Sequence, residues 1–174
     1  MRRLLFLLFG PLAAALAALV LTAGPASASS PHFAKGPDYT ATTTALTATG
    51  QAAGLANLPT AAFLTAQTVN VDFHCVNHGN NFAPGHPASF SAVTGPTESI
   101  SPHNGTIKFD VTLPAPVPSA ASVCPNKNWK VIVDEADYLG VVLHIQQNGA
   151  DILSDGPHDF TSCAAGVGNC VFTG

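Results

Sequence analysis

Alternation with a period of two constrains this chain more than any other feature. Over residues 61–75, Phe63, Val69, Val71, Phe73 and Cys75 share one parity, while Asn70, Asp72 and His74 share the other. Successive side chains of a strand point to opposite faces, so the pattern predicts a strand with an apolar inward face and a polar outward one. The same parity turns Cys75 into the core. Residues 106–113 repeat the pattern, with Ile107, Phe109, Val111 and Leu113 inward and Lys108, Asp110 and Thr112 outward. Residues 39–49 alternate and are rich in Thr, whose branched side chain suits a half-exposed strand better than a helix. Residues 88–93, 129–138 and 140–147 predict three more strands, and Asn148-Gly149 a tight hairpin turn into residues 150–153.

Between these segments Gly and Pro punctuate the chain. Residues 76–87 contain Asn77, Gly79, Pro84, Gly85 and Pro87 and read as a loop. Pro114-Ala115-Pro116-Val117-Pro118 lacks the N–H groups a sheet needs and reads as an extended polyproline connector. Residues 29–38, with Pro31, Gly36 and Pro37 and no apolar period, read as a flexible lead-in, and residues 154–174 as a loop-like tail. Many short strands, frequent turns and no helix predict an all-β chain. The expected architecture is a single β-sandwich over residues 39–153, with immunoglobulin-like Greek-key topology.

The N-terminus carries the three parts of a secretory signal peptide in order. Arg2 and Arg3 precede an uncharged Leu/Ala-rich run over residues 4–21, and Ala26-Ser27-Ala28 places small residues at the −3 and −1 positions of a cut after Ala28. The apolar run is close to the roughly 18 residues that can cross a bilayer, so an uncleaved anchor is the alternative. Gly10-Pro11 interrupts the run, and cleavage is the expectation. Cleavage would leave four Lys, no Arg and ten acidic residues, a formal charge of −6. Neutralising a phosphate backbone needs clustered cations, so nucleic acid is not an expected partner, and the same absence argues against anionic membrane surfaces. No second apolar stretch is long enough to span a bilayer. The expected partner is an extracellular ligand or protein whose identity the sequence does not specify.

Four cysteines, Cys75, Cys124, Cys163 and Cys170, remain in the exported chain. An even number in that setting reads as disulfides rather than as metal or redox thiols. Four cysteines allow three pairings. The Gly/Ala-rich segment between Cys163 and Cys170 closes easily, and that pairing leaves Cys75 with Cys124. The short bridge would clip the tail, and the long one would staple the domain.

Three segments carry a resemblance. Residues 52–57 (AAGLAN), residues 73–81 (FHCVNHGNN) with Gly85, and residues 106–111 (TIKFDV) resemble a group of short secreted actinobacterial proteins with a disulfide-bonded β domain. In that group a GLGN-like turn precedes a strand ending in Cys. An Asn/Gly/Pro loop follows, then a second Cys after a Pro-rich stretch. The resemblance covers residues 40–153. It implies secretion and the long disulfide, and brings no activity with it.

Seven histidines are many for a domain of this size, and His74, His78 and His86 lie close together in sequence. Imidazole ligates zinc, copper or nickel, and three could form an open site, though nothing in their spacing fixes a mutual geometry. Asp134, Glu135 and Asp137, and separately Asp151, Asp155 and Asp159, offer oxygen ligands for calcium without EF-hand spacing. No GxSxG elbow, HExxH pair or phosphate loop is present. Trp129, Tyr39 and Tyr138 are the only Trp and Tyr residues, too few for a sugar-binding platform, and Trp129 reads as core or rim. No catalytic residue or cofactor is assigned. The expected function is that of a secreted, non-catalytic β-sandwich that binds a ligand or acts at the cell surface. The alternative is a small secreted hydrolase or metal-binding protein that uses the His74/His78/His86 region.

Overall fold

The computed structural model describes residues 30–164 and 170–173. The expected signal peptide and its cleavage site lie outside them, as do residues 165–169 of the short cysteine loop. The strands are β1 (His32–Ala41), β2 (Ala45–Ala53), β3 (Thr60–Val76), β4 (Phe82–Pro84), β5 (Ala88–Thr94), β6 (Glu98–Ile100), β7 (Ile107–Pro114), β8 (Lys130–Gln147), β9 (Ala150–Ala164) and β10 (Val171–Thr173). The one described helix is a single turn, α1 (Ala120–Val123).

Two antiparallel sheets account for the strands. The smaller has the order β1-β2-β7, and the larger β10-β9-β8-β3-β4, with β5 and β6 also paired to β3. The spine of the larger sheet is the β3–β8 pair, which runs from Thr60↔Gln147 to Val76↔Lys130 with one register shift between Asp72 and Phe73. At the usual strand rise its 17 residues span about 56 Å. Along the other edge of β3 run three short strands instead of one long one. Pro84, Pro87 and Gly95-Pro96 fall between or at the ends of β4, β5 and β6, and a proline cannot donate to the ladder. Asn148 and Gly149 both take positive φ, +53° and +76°, as the expected two-residue turn between β8 and β9 requires.

One buried cluster draws on both sheets. Leu46 and Ala48 of β2 and Phe109, Val111 and Leu113 of β7 meet Leu64, Val69 and Val71 of β3 and Tyr138, Leu143 and Ile145 of β8. The predicted parity of β7 holds along its length, with Ile107, Phe109, Val111 and Leu113 all buried. In β3 it holds only for the second half. Ala62, Leu64 and Ala66 are buried in the first half and Val69, Val71, Phe73 and Cys75 in the second, so the inward parity switches between Ala66 and Val69. Phe63, expected to face inward, lies on the outer face. Strand β8 switches at the same level, from Ala136 and Tyr138 to Val141, Leu143 and Ile145. Gly140 sits at the switch with φ +63°, and a Cβ there would meet the Gln67 side chain at 2.7 Å. The sheet is therefore creased across β3 and β8, with the glycine making room at the fold line.

Further expectations need correction. Residues 39–49 are not one strand, since β1 ends at Ala41 and β2 begins at Ala45, and the loop of residues 76–87 contains β4. The lead-in of residues 29–38 is not loose. Strand β1 begins at His32, and Phe33 packs edge-on against Phe109 with ring centroids 6.2 Å apart. Residues 129–138 and 140–147 form one strand, since β8 continues through Gly140. Strand β9 runs through the boundary placed at Leu153 as far as Ala164, and its Phe160 and Cys163 are buried. These segments hid from a period-two reading because bulges interrupt them. Register shifts fall between Phe33 and Asp38 in β1 and repeatedly along the β8–β9 pair.

Both expected disulfides are present. Cys75–Cys124 ties the buried end of β3 to the residue following α1, and Cys163–Cys170 ties β9 to the start of β10. Trp129 is partly buried against the core, as expected.

Candidate functional site

A cleft of about 470 Å³ opens between β1 and β9, lined by residues 37–41, Asp155, His158, Phe160 and Cys170. Its polar centre is the carboxylate of Asp155. The Tyr39 hydroxyl donates to Asp155 Oδ2 at 2.7 Å, and His158 Nε2 lies 2.7 Å from the same oxygen. A carboxylate accepts and does not donate, so the His158 proton on this side is carried by Nε2. The Tyr39 ring stands edge-on to His158, with centroids 5.5 Å apart, and tilted on Phe160 at 5.3 Å. Burial, then the hydrogen bond and negative charge of Asp155, push the Tyr39 phenol well above its ordinary range. It stays a neutral donor.

A bulge puts Asp155 and His158 on one side. Three residues apart, they would point to opposite faces of a regular strand. Opposite them β8 advances two residues, Val141 to Leu143, while β9 takes three, His158 to Asp155. The additional residue falls at Gly156-Pro157 and returns both side chains to the cleft. Sequence reading named Asp155 only as a calcium candidate and passed over His158. The usable signal was that Gly-Pro pair, which marks a bulge when it interrupts a strand.

A second polar array lies on the outer face of the larger sheet. Thr65 Oγ1 is 3.0 Å from His144 Nε2, and His144 Nδ1 is 2.9 Å from Asp151 Oδ2. The imidazole stacks on Phe63, with centroids 4.9 Å apart and planes 15° from parallel. Partial burial raises the Asp151 pKa, but hydrogen bonds from His144 and Gln146 and the charge of His144 outweigh it and hold the carboxyl below its ordinary range. Thr65 and His144 line a cleft of about 550 Å³ at the crease, with Gln67, Ala92, Gly140 and Val142.

The histidines singled out in sequence are spread apart in role. His74 Nδ1 meets both carboxylate oxygens of Asp134 at 2.8 Å, and its ring tilts against Phe82 at 4.8 Å. His78 and His86 are exposed. Among the described residues no group of three or more His, Cys, Asp or Glu is arranged to hold a metal ion. The two acidic sets are likewise distributed among separate partners. Asp137 accepts from the Ser162 N–H and Asp159 from the Gly140 N–H, while Asp151 and Asp155 meet different histidines. No helix among the described residues is long and apolar enough to cross a membrane. Comparison with protein-family models, with curated proteins and with solved structures finds no match to this chain.

Proposed function

We propose that this chain is an exported, disulfide-stapled β-sandwich that binds a small organic cation in the cleft between β1 and β9, without transforming it. The N-terminal pattern and the two bridges support export. The strand order supports an immunoglobulin-like Greek key. Strands β1, β2 and β7 take the places of A, B and E, and β3, β8 and β9 those of C, F and G.

The observation that carries the binding reading is the Asp155 carboxylate, fixed by Tyr39 and His158 among aromatic rings. Asp38 adds a second carboxylate, and among the described residues no Lys or Arg lines the cleft. Negative charge beside ring faces favours an amine or quaternary ammonium with an apolar body, through ion pairing and cation–π attraction. Calorimetric titration with benzylamine, tetramethylammonium and benzoate tests it. The two cations should bind with an affinity that falls as salt rises, and Asp155→Asn should remove that binding. Benzoate binding as tightly as benzylamine, or unchanged affinity in Asp155→Asn, would refute the reading.

A further inference from the structure

We propose that Thr65, His144 and Asp151 form an acyl-transfer site for small uncharged esters, in the cleft at the crease of the larger sheet. The site lies on the opposite face of β8 from the β1–β9 cleft and does not rest on the binding reading. Leu143, buried, pairs with Asp155, whereas His144 faces outward and pairs with Ser154.

Geometry is the first argument. Hydroxyl, imidazole and carboxylate are in the order that nucleophile, base and orienting group require, at 3.0 and 2.9 Å. The three side chains come from three neighbouring strands, β3, β8 and β9. Asp151, held ionised, can only accept, so His144 carries its proton on Nδ1. In its neutral form, with that proton on Nδ1, His144 presents a lone pair at Nε2 to which the Thr65 hydroxyl can donate. Stacking on Phe63 holds the ring plane.

The setting is the second argument. Thr65 lines an open, shallow cleft at the level where β3 and β8 switch parity. Ala92 on its rim is a non-glycine residue at φ +52°, a left-handed conformation that surrounding structure must hold in place. The walls include Ala92, Val93 and Val142 and, among the described residues, no Asp, Glu, Lys or Arg. That lining fits an uncharged ester with a short acyl chain. Gln67, on the rim beside Thr65, carries an amide N–H that can meet a developing oxyanion.

The chemistry balances without a cofactor. Thr65 Oγ1 bonds to the ester carbonyl carbon as its proton passes to His144 Nε2. The carbon–alkoxy bond breaks, and the alkoxide leaves with that proton as an alcohol. Water then gives a proton to His144 and adds to the acyl-Thr65 ester. The carboxylic acid departs, and Thr65 recovers its proton. Asp151 is a positioning residue that keeps the Nδ1 tautomer and balances the transient imidazolium.

The test is covalent. The secreted chain is treated with an alkyl fluorophosphonate, and adducts are located by intact mass and peptide mapping; turnover of p-nitrophenyl butyrate is followed in parallel. One phosphonyl group should appear on Thr65. It should be absent from Thr65→Val and persist in Thr65→Ser. Labelling and turnover should slow about 100-fold or more in His144→Gln. Asp151→Asn should slow labelling of Thr65, and Asp151→Glu should restore part of it, since either carboxylate can hold the Nδ1 tautomer. Urea midpoints confirm that each variant is folded. No adduct on Thr65, or labelling as fast in His144→Gln as in the parent, overturns the proposal, because an unassisted surface histidine hydrolyses activated esters without modifying Thr65.

Discussion

Removing each disulfide in turn gives the sharpest test of how this fold is held together. Cys75→Ala/Cys124→Ala opens a loop spanning a separation of 49 residues, and Cys163→Ala/Cys170→Ala one spanning 7. Loop-closure entropy assigns about 4 kcal/mol to the first bridge and about 2.4 kcal/mol to the second. Cys75 and Cys163 are both almost wholly buried, so the small void left by each Ala is similar and cancels from the comparison. With a urea slope of about 2 kcal/mol/M, the midpoint should fall by about 2 M without the long bridge and about 1 M without the short one. Against a total stability of about 5–15 kcal/mol, the first loss is a large share. Equilibrium urea unfolding followed by circular dichroism and Trp129 fluorescence measures both. Equal or inverted midpoint shifts would refute the reasoning. They would mean that the β9–β10 clip, through buried Cys163 and Phe160, organises the core more than the staple on β3 does.

The chain has two tyrosines, and burial pushes both phenols above their ordinary value. A raised folded-state pKa contributes stability that is intact below about pH 10 and lost as pH rises beyond it. Phenolate absorbance should therefore appear only with alkaline unfolding, and a native-state titration near pH 10 would contradict the packing of Tyr39 and Tyr138. Gly140→Ala forces a Cβ onto Gln67 at positive φ and should cost about 1–3 kcal/mol in urea unfolding; an unchanged midpoint would mean the crease is soft. Asp151 has a depressed pKa, so its contribution is present above about pH 4 and disappears as pH falls through the folded value. Asp151 is 42% exposed, so screening keeps that contribution under about 1 kcal/mol. The urea-midpoint gap between the parent and Asp151→Asn should close below about pH 3, and a gap that widens there would reverse the assigned sign.

What could be read without coordinates was whatever depends on neighbours in the chain. The alternation of residues 107–113 decides which face of β7 is buried. Asn148-Gly149 decides the β8–β9 turn, since only such residues take positive φ at both positions cheaply. Cysteine spacing led to the pairing that is present. Tertiary structure decided everything that depends on a bulge or a crease, because one additional residue reverses every side chain beyond it. Phe63 lies outside and stacks on His144 because β3 and β8 switch parity together at Gln67 and Gly140. Asp155 and His158 share a cleft because β9 takes three residues where β8 takes two. Residues 32–38 and 154–164 are strands although their own pattern does not alternate, since partners already in place supply the ladder they join. Neither polar array was legible in the sequence. Thr65 and Asp151 lie 79 and 7 residues from His144, and Tyr39 lies 116 from Asp155. Only the pairing of β3, β8 and β9, and the approach of β1 to β9, brings those groups within hydrogen-bonding distance.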